Sequence, residues 1–192
     1  MDDTTMVGFG FKQAWLAVRD AAPEAVVGAL GAQPVGTMSW RLGLDSAYTY
    51  EDLVAVTPPL AGAGGAMWVL ACGRWLLARE DGFDVASLSD RLDREVQFFA
   101  TYRVSELHHW HRAIGGVTIR SFRYVGETGE VTQWRGEPDQ SELSVGLPSR
   151  IGPETDVVVD ESDVMRLAAQ WSIDPTSLEG RPAPGPLTLA RL

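Results

Sequence analysis

The three histidines of this chain, His108, His109 and His111, fall within four residues, in the run Glu106-Leu107-His108-His109-Trp110-His111-Arg112. Imidazoles titrate near neutral pH, bind transition metals and act as general bases, so no other stretch offers as much chemistry. What they can do together depends on which rings share a side of the chain. Gly115-Gly116 follows them, and a two-glycine connection suits the primed turns of a β-hairpin, where both central residues need positive φ. With those glycines at the turn, His111 faces Arg120, His109 faces Phe122 and Leu107 faces Tyr124, all on one side of the ribbon. The other side receives His108, Trp110 and Arg112, with Glu106 diagonal to Arg123.

That division argues against a three-histidine metal centre, because zinc takes three or four converging ligands and Arg120 would set a positive charge against the remaining pair. The face of His109, His111, Arg120 and Tyr124 suits an anion better. A guanidinium offers a planar fork of donors, the imidazoles add more, and Phe122 and Tyr124 supply an aromatic wall. The expected ligand of that face is the carboxylate or phosphate of a small molecule. The plainer alternative is a packed ribbon, with His109 against Phe122, His111 solvated and Arg120 paired with a carboxylate from the acidic part of the chain. No catalytic residue is assigned, since a histidine base needs a second positioned group. The sequence holds no nucleophile elbow, phosphate loop, paired-cysteine motif or dinucleotide fingerprint, and neither metal nor cofactor is expected.

Charge supplies the second functional signal. From Glu127 to Asp163 ten carboxylates stand against Arg135 and Arg150, so this stretch carries −8 of the net −10, whereas Asp93 to Arg123 is locally +2. The overall field repels nucleic acid and anionic lipid, so neither is an expected partner. An acidic surface instead suits a basic protein, with Glu127, Glu130 and Glu137 as its charges and Trp134 as an aromatic anchor. Trp40, read on an extended segment, is a second candidate anchor.

The elements that must position these groups follow from periodicity and caps. Pro23, Glu24 and Gly31 mark a short helix, and Asp84 begins another whose Val85, Leu88 and Leu92 share a face. Asp160 and Asp163 bracket the start of a third, with Val164, Leu167, Ala168 and Trp171 in register. Phe9–Arg19, Val35–Leu42, Leu53–Thr57, Met67–Leu77 and Val96–Tyr102 read as extended, and two reversals join strands at 105–113, 117–125 and 131–134. Helices placed among hairpin-linked strands indicate an α+β fold with a largely antiparallel sheet and a few short helices packed on it. At 192 residues and 45% hydrophobic content, one domain over 1–179 is expected, with 180–192 a proline-rich tail. The acidic start and the lack of a long apolar run suggest no signal peptide and no spanning helix, hence a cytoplasmic protein. Cys72 is the single cysteine, expected as a buried, inert thiol.

The stretch from Val96-Gln97-Phe98-Phe99-Ala100-Thr101 through Arg120-Ser121-Phe122-Arg123-Tyr124 and Val125-Gly126-Glu127-Thr128-Gly129-Glu130-Val131 to Gly136-Glu137-Pro138 resembles a group of uncharacterised actinobacterial proteins. Trp171-Ser172-Ile173-Asp174-Pro175 is similar to an ending that recurs in the same group. The resemblance implies a bacterial, cytosolic, single-domain protein and carries over no catalytic residue. In charge, size and α+β character the chain is also similar to small acidic immunity proteins, which bind toxin partners. Two functions are therefore expected in order: a non-catalytic, immunity-like or accessory binding protein with an acidic docking face, then a binder or enzyme for an anionic small molecule at His109, His111, Arg120 and Tyr124.

Overall fold

One antiparallel sheet runs through the computed structural model, which describes residues 4–152 and 155–192. In chain order the elements are β1 (Ala14–Arg19), α1 (Pro23–Ala29), β2 (Gln33–Met38), α2 (Trp40–Thr49), β3 (Leu53–Val56), β4 (Leu60–Ala61), β5 (Met67–Cys72) and α3 (Arg74–Leu77). They continue with α4 (Val85–Leu92), β6 (Glu95–Tyr102), β7 (Leu107–Ile114), β8 (Val117–Val125), β9 (Glu130–Arg135), α5 (Gln140–Ser144), α6 (Glu161–Trp171) and β10 (Leu187–Arg191). Across the sheet the strands lie in the order β2-β10-β3-β5-β1-β6-β7-β8-β9, with β4 hydrogen-bonded to β5. This is the α+β architecture expected from the alternation of caps and hairpins.

Helices cover both faces. Trp15, Ala17, Leu70 and Phe99 pack with α2 and α6, while Ala14, Leu16, Val69 and Phe98 pack with α1, α3 and α4. Strands buried on both sides need apolar residues at every position, which is why β1, β5 and β6 read as continuous runs and not as alternating ones. The caps act as their chemistry dictates. Asp84 accepts from the Ser87 amide at 2.8 Å, and Asp160 with Asp163 closes a reciprocal capping box at the start of α6, each satisfying donors that a helix end leaves without partners.

Three expectations are corrected. The last residues are no tail: β10 lies between β2 and β3 and pairs with both, with Leu187 and Leu189 in the core. The prolines at 182, 184 and 186 stop just short of Leu187, so none removes a donor from the ladder. Trp40 begins α2 instead of lying on a strand; it is buried, and its indole N–H donates to the Gly185 carbonyl at 3.0 Å.

The third correction concerns register. Ile114 pairs with Val117 and Ala113 with Thr118, as a Gly115-Gly116 turn requires, but Arg112 then pairs with Arg120 and His111 with Ser121. Ile119 is the extra residue of a β-bulge. A one-residue shift sends every later side chain of β8 to the opposite face. Gly136 fits against this bulge at φ +77, where a Cβ would come within 2.1 Å of the Ile119 carbonyl oxygen.

Candidate functional site

Because of the bulge, the four residues expected around an anion divide. Arg120 and Tyr124 belong to the face covered by α5 and α6, with Trp110 and Phe122, whereas His109 and His111 belong to the face covered by α3 and α4. Arg120 is also held within the protein through its Nε and Nη1, while its Nη2 is buried without a hydrogen-bond partner among the described residues. Its Nε donates to Glu142 Oε1 at 2.7 Å, its Nη1 reaches the carbonyls of Arg135 and Gly136 at 3.1 Å, and its guanidinium lies 4.1 Å from the centre of the Trp134 ring. Glu142 in turn accepts from Trp110 Nε1 at 2.7 Å and closes the capping box of α5. The plainer alternative therefore holds for Arg120, which pairs with a carboxylate of the acidic stretch. Trp134 is occupied as well: it packs edge-on to Phe122 and under Arg120, which removes it as an outward anchor.

On the α3 side, His109 meets Glu80, a residue that the sequence alone leaves in a polar turn. Nδ1 lies 3.2 Å from Glu80 Oε2, and since a carboxylate only accepts, Nδ1 is the donor. Arg123 binds the same carboxylate with both Nε at 3.0 Å and Nη2 at 2.7 Å. Burial by itself would raise the Glu80 carboxyl, but the hydrogen bonds from His109 and Arg123 outweigh it and bring it down to about 2. His109 packs edge-on to Phe98, 4.9 Å between centroids, and not against Phe122. Its Nε2 is buried with no hydrogen-bond partner among the described residues, so none of them stands to it as the nucleophile of a Ser-His-Asp relay would. His111 shares a hydrogen bond with Thr118 Oγ1 at 3.0 Å, and burial, with the neighbouring His109 and Arg135, lowers it to about 4.

His108 lies on the α6 side, its ring stacked over Tyr124 at 6.5 Å. The two aromatics form the floor of a cleft of about 390 Å³ whose charged lining is Glu106, Asp160 and Glu161 against Arg103 alone. Arg103 is ion-paired across the cleft, with Nε and Nη2 both donating to Glu161 Oε2. Burial lowers the pKa of His108 in spite of the surrounding carboxylates Glu161, Asp160, Asp163 and Glu106, and its Nδ1 is buried with no partner among the described residues. Tyr124 is raised by burial and by Asp156 and Glu106. Two turns meet beside this cleft, since the Gly126 amide donates to the Glu106 carbonyl at 3.0 Å and the Glu127 amide to that of Ser105. One end of the molecule thus gathers Glu106, Glu127, Glu130, Asp156, Asp160 and Glu161.

Of the four residues expected to meet a partner, Glu127 and Glu130 lie exposed at this acidic end. Glu137 follows the far end of β9, and Trp134 faces inward. Much of the remaining acidity serves the fold: Glu142 pairs with Arg120, Asp139 and Asp160 cap helices, and Asp163 holds Arg166. Glu154 lies outside the described residues. The contributors that sequence reasoning missed are Glu106 as a cleft wall and Glu80 as the partner of Arg123; Glu106 lies in the turn just before β7, at positive φ, where strand alternation gives no signal for it.

Among the described residues, no group of three or more His, Cys, Asp or Glu side chains is placed to hold a metal ion. Cys72 is buried, which pushes its thiol up to about 12. No described helix is long and apolar enough to cross a membrane. No family model matches the chain, and no curated protein or solved structure is found similar to it.

Proposed function

We propose that the protein is a non-catalytic binding protein that docks a basic protein partner at its acidic end, with a lysine or arginine of the partner entering the cleft above Tyr124. One observation carries this reading: the cleft is lined by three carboxylates, and its single cation is already bound to one of them. Glu106 makes no ion pair among the described residues, so an entering cation gains a new partner without displacing an old one. The Tyr124 ring adds a surface over which a cation is attracted. Exposed Glu127 and Glu130 extend the negative field beyond the cleft and would steer a basic surface toward it, more strongly at low salt.

Affinity capture from a native lysate tests the reading, with the wild type and a Glu106→Gln/Glu127→Gln variant as baits at low and high salt. A basic protein is expected on the wild type at low salt and is lost both at high salt and on the variant. Equal capture by the two baits would contradict the proposal.

A further inference from the structure

We infer that a second cleft, on the opposite face of the sheet, binds a small carboxylic acid with an apolar body. The cleft measures about 510 Å³ and lies between α3 and the adjoining ends of β6, β7 and β8, a volume within the range of small-molecule sites. Its walls are the side chains of Leu77, Ala78, Leu107 and Val125, which provide the apolar surface that a hydrocarbon or aryl group would cover.

The polar lining selects the head group. Glu80 is the only carboxylate among the lining residues, and both its oxygens are already bound by Arg123 and His109. A ligand amine would have to break that array. Donors are left over instead. Arg123 spends three of its five N–H groups on Glu80 and Thr132. Among the described residues Arg74 meets only Glu51 as an ion-pair partner, at 3.4 Å, with both side chains more than half exposed; such pairs contribute little and exchange readily. The hydroxyls of Tyr102 and Ser105 complete the rim and make no hydrogen bond among the described residues. A site whose remaining capacity is to donate selects an acceptor, and a carboxylate can take the fork of Arg74 in two parallel bonds.

Isothermal titration with decanoate, decanol and decylamine, each below its micellar concentration, tests the inference on the intact chain. The expected order is decanoate tightest, with decylamine giving no saturable heat. Arg74→Gln should weaken decanoate about tenfold, as loss of one charge-assisted contact implies, and Ala78→Trp, at an exposed position, should fill the cleft and abolish binding. If decylamine binds as well as decanoate, or if both variants bind decanoate like the wild type, the inference is overturned. Neither variant touches the acidic end, so this outcome is independent of partner docking there.

Discussion

Nε of Arg120 lies 2.7 Å from Oε1 of Glu142, and the two side chains are 2% and 1% exposed. The pair joins β8 to α5 inside the core, and Trp110, Trp134 and the capping box all depend on its position. Breaking such a pair from one side strands the other charge in a low-dielectric interior. Arg120→Met is therefore expected to cost about 3–5 kcal/mol. The double change Arg120→Met/Glu142→Leu should recover part of that loss, because no uncompensated charge remains. Urea denaturation of the two variants checks both statements.

The chain end makes a separate prediction. Leu189 is 1% exposed on β10, between two neighbouring strands. Leu189→Ala should cost about 2–5 kcal/mol, the range for a buried leucine whose cavity closes incompletely. A change within about 0.5 kcal/mol in thermal or urea unfolding would be the behaviour of an exposed tail.

These two sites also mark where sequence reading succeeded and where it failed. Pro23, Asp84 and the Asp160/Asp163 box carry local helix signals and placed three helices. Paired glycines placed the hairpin turn. The bulge at Ile119 has no local signal, because a β-branched residue suits a regular strand and a bulge alike. What fixes it is distant: the burial of Arg120 on Glu142 and the close fit of Gly136. β10 was hidden by its prolines, although its own five residues contain none. α2 was legible in principle, since Trp40, Gly43, Leu44 and Ala47 repeat at helical spacing. Glu80 sits in an Arg-Glu-Asp-Gly turn of ordinary surface composition, and only the fold brings it to Arg123.

Acid sensitivity should have two separable components. His111 is depressed from 6.5 to about 4, so between those values the unfolded chain binds more protons and stability falls as the pH drops. Glu80 is depressed from 4.5 to about 2, and its contribution, present above pH 4.5, is lost as the pH falls toward 2. Melting temperatures across this range should decline less steeply from pH 6.5 to 4 in His111→Gln, and less steeply below 4.5 in Glu80→Gln. Parallel curves for wild type and both variants would contradict the assignment.

Docking of a cation at the acidic end is tested most directly by titrating ¹⁵N-labelled protein with a short arginine-rich peptide and following amide shifts. Saturable shifts are expected at Glu106, His108, Tyr124 and Glu127, weakened severalfold by Glu106→Gln and by raised salt, with no response to a polyglutamate peptide. Shifts scattered over the surface, or the same response from the Glu106→Gln variant, would contradict the account.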